Sequence, residues 1–521
     1  MRWNCRRWGW GFGAAIKQQR YTIGLVIMLA GCLLASPIAA IAQVVTIPDP
    51  GLQAAVRQML RKPTGDITKG DMESLVYLYG DHYRITSLEG LETAINLEWA
   101  FLSANLFTNL TFPSGLTKLK RLELSFNTQL TNLTLPADLT DLIGLRLAGD
   151  ALTTLRIPPG LSKVSQLELS WGRGGHLTDF SFLAGMSNLR MLALSANQLD
   201  TLTLPHGLTN LAFLNLDGNN LTNLSLPADL VTLTNLNISS NPLTDFAFLS
   251  SQTNLSSLLA ANNHLTNLVL PASLTKLASL ELGNNQLSAV SFLDGFTNLF
   301  WLGLSWNQFS NFILPPRLSN LVGLDLRCNR LTKLSLPQNL CKLTYLALSG
   351  NQFGDLTMPT GLVNLGTLDL SGNLLTNLTL PNDLEQLTEL NLYGNKLRTL
   401  QLPGGLDKLS ILNLDANPFY GIGLPAGYPL LYQTVVNFQN NGVGVTLFPI
   451  SKSPRLVDGH FTFDAYGNSG TVVIQRSTDW RTWQDVGSVV IPWPNYPGVT
   501  FSDTNGPPPD KAIYRLKVPL K

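Results

Sequence analysis

The chain is poor in cysteine and in charged side chains for its length. Of its 521 residues, 4 are cysteines and 13% are Asp, Glu, Lys or Arg. So few cysteines exclude a scaffold held together by dense disulfides. The scarcity of charge, with no basic stripe, argues against a nucleic-acid partner.

Motifs for catalysis, phosphate binding and metal binding are also missing. The chain has no H-E-x-x-H, no G-x-S-x-G and no phosphate-binding loop, and its 5 histidines lie far apart in the sequence. A catalytic cysteine or serine would need a base beside it, and no pattern supplies one. The sequence therefore predicts a protein that is not an enzyme and that uses no cofactor and no metal.

The first 42 residues have the composition of an export signal. They contain no acidic residue, and an apolar run from Tyr21 to about Ala35 precedes Ala40-Ile-Ala42. This order predicts a signal peptide over residues 1–42, cleaved after Ala42, and an extracytoplasmic protein, secreted or at the cell surface. Two alternatives stay open. Leu29-Ala-Gly-Cys32 resembles a bacterial lipobox, which would place a lipid on Cys32, and the apolar run could remain as an uncleaved anchor.

One sequence pattern, called the phrase below, recurs every 22 residues through the middle of the chain. Leu211-Ala-Phe-Leu214-Asn-Leu216-Asp-Gly-Asn219 shows it, and Leu387-Thr-Glu-Leu390-Asn-Leu392-Tyr-Gly-Asn395 repeats it. The phrase L-x-x-L-x-L-x-x-N at this period is the leucine-rich-repeat signature, so the chain resembles that superfamily. The asparagines that end the phrase are Asn105, Asn127, Asn197, Asn219, Asn241, Asn263, Asn285, Asn307, Asn329, Asn351, Asn373, Asn395 and Asn417.

The repeat predicts an α/β solenoid, a leucine-rich-repeat horseshoe with a parallel concave sheet. In each coil the Leu-x-Leu before the asparagine forms a short strand with its leucines inward. Coils from a degenerate one at Tyr83 to a weak one at Gln439 number about 17, within residues 75–441. The asparagine amide is expected to satisfy backbone groups at the turn, so that Asn→Ala costs about 1 to 3 kcal/mol.

Cys328 and Cys341 are the cysteines that follow the export signal. The repeat places one just after a strand and the other just before the next strand, about 15 Å apart. A disulfide needs Cα atoms within about 7 Å. We expect two unpaired thiols that are buried.

The two ends of the solenoid have their own patterns. Residues 43–74 predict a helical N-terminal cap, because Leu52, Val56 and Met59 fall on one helical face. This segment and the following Ile85-Thr-Ser-Leu-Glu-Gly-Leu91 resemble the cap of internalin-like bacterial surface proteins. Residues 444–521 lose the period and predict short strands separated by turns, a small all-β, sandwich-like C-terminal domain.

Aromatic and acidic side chains occupy many of the outward strand positions. Exposed aromatics on a solenoid sheet are typical of partner contact, and the insertion at Gly172–His176 adds a loop at the rim. Rim aromatics that merely pack on neighbouring coils, and carboxylates that are simply solvated, are the alternatives. The expected binding residues, on the concave face and its rim, are Trp99, Phe101, Glu123, Glu168, Trp171, Arg173, His176, Phe213, Trp301, Trp306, Tyr345 and Tyr393.

The resemblance to internalin-like proteins implies adhesion to a protein partner. Aromatic strips also hold polysaccharide, so a glycan-binding module is an alternative. In a third hypothesis the solenoid is a structural spacer that presents the C-terminal β domain. Contact with a membrane is expected only through the signal segment or a lipid on Cys32.

Overall fold

The computed structural model describes residues 43–170 and 177–419, and further strands after them. The signal peptide with Cys32, the loop with Trp171, Arg173 and His176, and the coil at Gln439 lie outside the described residues. The later strands are Gly421–Pro425, Gly444–Phe448, Ile450–Val457, His460–Tyr466, Gly470–Ser477, Gln484–Ile491, Val499–Ser502 and Ile513–Lys517.

Asp49 caps the N-terminus of helix α1, Pro50–Leu60, and connects the helix to the first coil. One carboxylate oxygen of Asp49 accepts from the Leu52 amide at 2.9 Å, and the other accepts from the amide and hydroxyl of Thr86, each at 2.7 Å. Burial alone would raise the pKa of Asp49, but these hydrogen bonds outweigh it and lower that pKa. Leu52, Ala55 and Val56 are buried, so α1 packs its apolar side on the solenoid end.

Helix α2, Lys69–Glu73, is a single turn held by a capping box. The Thr68 hydroxyl accepts from the Asp71 amide at 3.2 Å, and the Asp71 carboxylate accepts from the Thr68 amide at 2.8 Å. Lys62 donates to the same carboxylate at 2.6 Å. Of the helices that the structure describes, none combines the length and the apolar character that a membrane span requires.

One parallel sheet of 16 strands runs through the repeats. Each strand has three residues and pairs in register with the strand one coil away, and its middle residue is buried. The predicted parallel solenoid with inward leucines is confirmed. The strands are Tyr77–Tyr79, Trp99–Phe101, Arg121–Glu123, Gly144–Arg146, Gln166–Glu168, Met191–Ala193, Phe213–Asn215, Asn235–Asn237, Ser257–Leu259, Ser279–Glu281, Trp301–Gly303, Gly323–Asp325, Tyr345–Ala347, Thr367–Asp369, Glu389–Asn391 and Ile411–Asn413.

The other side of the coils takes two forms. Several coils add a second short strand, and these pair in small parallel sheets: Asn109–Thr111, Asn132–Thr134 and Thr154–Arg156; Asn311–Ile313 and Lys333–Ser335; Asp355–Thr357 and Asn377–Thr379; Thr399–Gln401 with Gly421–Pro425 and Gly444–Phe448. Other coils form a 3-10 helix there, at Leu91–Thr93, Ser181–Leu183, Ala247–Ser251 and Ser291–Leu293. The last three carry the Phe-Leu sequence, and their leucine side chains are buried.

The asparagines form a ladder of hydrogen bonds along the inside of the turn. Asn219 is typical: its carbonyl oxygen accepts from the amides of Asn197 at 3.0 Å and Leu199 at 3.1 Å. Its amide nitrogen donates to the carbonyls of Leu194 at 3.0 Å and Leu216 at 2.8 Å. Each side chain therefore satisfies backbone groups of two coils at once.

The last strands are antiparallel and form two separate sheets. In one sheet the strand order is Ile450–Val457, His460–Tyr466 and Val499–Ser502. In the other sheet it is Gln484–Ile491, Gly470–Ser477 and Ile513–Lys517. Strand Gly444–Phe448, where the sequence placed the start of the β domain, instead pairs in parallel with Gly421–Pro425. The parallel pairing of the repeats thus reaches beyond residue 444.

The thiols of Cys328 and Cys341 are both free. Cys328 is half-buried at the turn after a strand, whereas Cys341 is exposed. The expected burial is therefore wrong for Cys341, because it lies in the connection that precedes strand Tyr345–Ala347 and points away from the leucine core.

Candidate binding surface

The sheet face is the side of the 16-stranded sheet that carries no leucine core. We define it as the first and third residues of each strand together with the residue two positions after the strand. Residues at equal positions in neighbouring coils stand in columns about 4.8 Å apart. Side chains in one column therefore touch across coils.

Four aromatic rings fill the N-terminal end of the sheet face, and we call them the aromatic quartet. Tyr79 and Phe101 stack with ring centres 4.9 Å apart and planes 2° apart. Tyr77 and Trp99 stack at 6.3 Å, and Trp99 lies 6.4 Å from Phe101. Tyr77 and Tyr79 remain 48% and 50% exposed. Stacking orders the rings, yet their outer edges stay open to solvent.

The sequence indicated Trp99 and Phe101 but missed Tyr77 and Tyr79. The first coil is degenerate, since Gly80 replaces a leucine and Tyr83 replaces the asparagine. Its strand still pairs with the next one, Tyr77 beside Trp99 and Tyr79 beside Phe101. Counting 22 residues back from Trp99 and Phe101 would have found both tyrosines.

Glu123 and Glu168 belong to a chain of ion pairs next to the quartet. Arg121 contacts Glu123 at 2.8 Å, and Arg146 lies between the two carboxylates, at 3.6 Å from Glu123 and 3.3 Å from Glu168. The sequence did not select these arginines. Because each carboxylate has a cation beside it, this part of the face is close to neutral.

The middle of the sheet face is mostly uncharged, with Asp217 two positions after strand Phe213–Asn215. Phe213, 37% exposed, stands beside asparagines such as Asn235, its in-register neighbour on the next strand. Phe213 is thus an isolated aromatic that belongs to neither of the clusters at the two ends.

A second aromatic cluster is centred on Gly323. The rings of Trp301 and Tyr345 stack at 5.9 Å although their strands are two coils apart. The Trp301 ring leans over the glycine between them, where a Cβ atom would lie 2.3 Å from that ring. Trp301 also donates from Nε1 to the Glu281 carboxylate at 3.2 Å. Burial raises the pKa of Glu281.

Asp325 and Arg327 form a forked ion pair beside this cluster. Arg327 donates to the two carboxylate oxygens at 2.9 and 2.7 Å, and Asp325 is only 4% exposed. Such a two-point contact fixes the guanidinium in place. Burial raises the pKa of Tyr345; Arg327 opposes the rise, and the nearby carboxylates of Asp325 and Asp369 add to it.

Phe126 and Trp306 stand on the rim in a backbone conformation that favours glycine. The residue before the ladder asparagine has a positive φ in every described coil, and it is glycine in several of them. Phe126 has φ 63° and Trp306 has φ 56°, and the two are 54% and 63% exposed. The Phe126 ring packs on Gly149 of the next coil. Bulky side chains are uncommon there, so stability does not account for Trp306.

Replacing Trp306 with Gly should therefore stabilise the protein by about 1 kcal/mol, because only glycine adopts this conformation without strain. Urea unfolding of both proteins measures the gain. Trp306→Ala is the matched control, since it removes the ring but keeps the strained Cβ, and it should give no gain. Equal effects of the two substitutions would show that the strain is absent.

The structure thus groups the sequence-selected residues into clusters. Trp99 and Phe101 join the quartet, Glu123 and Glu168 join the ion pairs, and Trp301 and Tyr345 join the cluster at Gly323. Trp306 lies on the rim, and Tyr393 stands 50% exposed further along. In the part of the chain that the structure describes, no three His, Cys, Asp or Glu side chains are placed to hold a metal ion.

The profile of the BspA-type leucine-rich repeat region matches the chain over residues 84–170, 173–299 and 326–417, in 6 copies. These matches cover more than half of the chain. The protein belongs to the BspA-type leucine-rich-repeat family. No curated protein sequence matches it.

Two solved structures similar to this BspA-type chain come from Listeria monocytogenes. An internalin, InlF, is 26% identical with a TM-score of 0.51, and the match covers 63% of this chain and 97% of InlF. The functional domain of InlJ, which includes a cysteine ladder, is 19% identical with a TM-score of 0.50, over 80% of this chain and 93% of that domain. The expected internalin-like bacterial leucine-rich-repeat character is confirmed.

Proposed function

We propose that this BspA-type protein is an exported binding protein, without enzymatic activity, that recognises a protein partner through its sheet face. The observation that carries the proposal is the aromatic quartet. Tyr77 and Tyr79 are about half-exposed on a rigid sheet, Trp99 and Phe101 are partly exposed, and a monomer gains nothing from leaving these rings open to water. The likeness to InlF, an internalin, supports a binding role.

The quartet is suited to binding because it is already ordered. Each strand is fixed by its neighbours, and the Tyr79 and Phe101 rings hold each other at 4.9 Å. A partner that covers them loses little side-chain entropy while it buries aromatic area. Rings in such a setting typically contribute most of the energy of a protein interface.

The ring geometry favours a protein over a polysaccharide as the partner. A sugar ring stacks its C–H groups on a free aromatic face. In the quartet, Tyr79 and Phe101 lie face to face with planes 2° apart, so each covers one face of the other. Ring edges and tyrosine side chains suit apolar and hydrogen-bonding protein groups.

The location follows from the proposed signal peptide over residues 1–42. Its cleavage after Ala42 would release the solenoid outside the cytoplasm, free or at the cell surface. In the alternative, Cys32 stays in the mature chain and a lipid on it anchors the protein. Mass spectrometry of the exported protein distinguishes the two outcomes.

Removing Trp99 and Phe101 from the quartet should weaken partner capture. The mature chain, residues 43–521, and its Trp99→Ala/Phe101→Ala variant are immobilised and exposed to mixtures of proteins and of glycans. We expect a protein ligand that the variant binds at least about tenfold more weakly, since the lost rings are central contacts. Elution with defined sugars tests the glycan alternative directly.

The control is Val269→Ala/Ile313→Ala, which removes exposed apolar side chains, 75% and 68% accessible, away from the sheet face. It should retain the ligand as the unmodified chain does. Retention by the quartet variant at full strength contradicts the proposal. Retention by residues 444–521 alone would instead favour the spacer hypothesis.

A further inference from the structure

Charge is distributed unevenly along the sheet face. Near the quartet, the carboxylates of Glu123 and Glu168 are matched by Arg121 and Arg146. From strand Ser279–Glu281 to the last strand of the long sheet, all within the described residues, the sheet face carries one cation, Arg327. Over the same coils it carries the carboxylates of Glu281, Asp325, Asp369, Glu389 and Asp415.

The single cation of this region is already engaged. Arg327 holds the buried Asp325 through two hydrogen bonds, so the two charges cancel. Among the described residues, no ion pair involves Asp369, Glu389 or Asp415. The C-terminal half of the sheet face is therefore net negative, because in the described chain it has one guanidinium for the carboxylates of Glu281, Asp325, Asp369, Glu389 and Asp415.

Aromatic rings lie among these carboxylates. Tyr345 is close enough to Asp325, Asp369 and Glu389 for their charges to act on its hydroxyl, and it stacks on Trp301. Tyr393, 50% exposed, follows strand Glu389–Asn391 by two residues. We call Trp301, Tyr345, Asp369, Glu389 and Tyr393 the acidic aromatic patch.

We propose that the acidic aromatic patch docks an extended basic segment of the partner protein, with arginine or lysine side chains against Tyr345 and between Asp369 and Glu389. This refines the partner proposed above and rests on that function. Charge complementarity selects the occupant, since unpaired carboxylates favour cations and repel acidic chains. The aromatic rings add cation–π attraction, which an uncharged segment cannot use.

The arrangement of the strands suits an extended occupant. Asp369 and Glu389 belong to adjacent strands, since Thr367 pairs with Glu389 and Asp369 with Asn391. Their columns repeat about every 4.8 Å, while side chains on one side of an extended peptide repeat about every 6.8 Å. A peptide crossing the strands obliquely can place successive basic side chains near successive carboxylates.

The probe is a synthetic peptide of about twelve residues that alternates arginine and threonine, with a glutamate–threonine peptide as its counterpart. Titration calorimetry on the full chain, at about 50 mM and about 300 mM salt, measures both affinities. We expect binding of the arginine peptide alone, weaker at the higher salt concentration.

Three variants locate the site. Asp369→Asn/Glu389→Gln should weaken binding of the arginine peptide about tenfold, and Tyr345→Leu, which leaves every charge in place, about fivefold. Tyr345→Phe keeps the ring and should bind as the unmodified chain does. The charge-matched control Asp200→Asn/Asp217→Asn removes two carboxylates outside the patch and should change affinity less than about twofold.

Equal losses in the patch and control variants would mean that net charge alone drives binding, and would overturn the proposal. Unchanged binding by Tyr345→Leu, or binding of the glutamate peptide, would overturn it as well. The quartet variant Trp99→Ala/Phe101→Ala should bind the arginine peptide normally. Failure of the quartet test and failure of the patch test are therefore separate results.

Discussion

Replacing Asp150 with Asn should stabilise the protein by about 2 to 4 kcal/mol at pH 7, with a gain that grows as pH rises. Asp150 occupies a position of the asparagine ladder and is 2% exposed. One of its oxygens accepts from the Asn127 amide at 2.7 Å, as an asparagine would. Its other oxygen is buried and, among the described residues, has no partner.

The missing hydrogen-bond partner of the second oxygen explains why Asp150 destabilises the fold. At this place a ladder asparagine donates to backbone carbonyls, as Asn219 does to Leu194 and Leu216. An ionised carboxylate has no hydrogen to donate. Burial therefore raises the pKa of Asp150 to about 8, so that the folded protein carries this group protonated at neutral pH.

The sign of the pH dependence follows from the two pKa values. In the unfolded chain the carboxyl has a pKa of about 3.9, below its folded value. Below about pH 4 the group is neutral in both states and its contribution to stability is fully present. Between about pH 4 and pH 8 only the folded state holds the proton, so stability falls by about 1.4 kcal/mol per pH unit. Asparagine does not titrate and escapes this loss.

Urea unfolding at several values between about pH 5 and pH 8 measures the effect. The midpoints of the unmodified chain and of Asp150→Asn should diverge steadily as pH rises. Asp200→Asn, at an exposed position, serves as the control and should follow the unmodified chain. Parallel curves for Asp150→Asn and the unmodified chain would show that Asp150 is not protonated in the fold.

Replacing Asn219 with Ala should destabilise the protein by about 3 kcal/mol. The substitution removes four hydrogen bonds and leaves the amides of Asn197 and Leu199 and the carbonyls of Leu194 and Leu216 without that partner. Buried backbone groups left unpaired cost about 1 to 3 kcal/mol each, and relaxation of the turn recovers part of the sum.

The next residue supplies the control. Asn220 is exposed, and its backbone amide, which the substitution leaves in place, donates to the Leu199 carbonyl at 2.9 Å. Asn220→Ala should change the free energy of unfolding by less than about 0.5 kcal/mol. Similar losses in the two variants would mean that asparagine acts here through its general turn preference and not through the ladder.

The repeat itself predicted the architecture because its physics is local. A leucine every two or three residues, followed by asparagine, specifies a strand and a turn in each coil. Each coil packs only on its neighbours, so one phrase, repeated, builds the whole sheet. For the same reason the outward positions of Trp99, Trp301 and Tyr345 could be assigned by counting along the chain.

The groups formed by these side chains could not be assigned in that way. Tyr77 and Tyr79 were missed because the first coil departs from the phrase. The ion pairs of Glu123 and Glu168 depend on the conformations of long side chains, which bend towards one another from different coils. Three of the four described 3-10 helices, in contrast, coincide with a Phe-Leu sequence.

The sequence alone determined the period, the inward leucines, the asparagine positions and the family resemblance, since each depends on residues within about one coil. Only the tertiary structure decided which outward residues act together. The Trp301 and Tyr345 rings meet because Gly323 leaves space between their strands, and burial raises the pKa of Asp150, whose second oxygen has no partner among the described residues. Contacts of this kind depend on distances between coils, and a one-dimensional pattern does not record them.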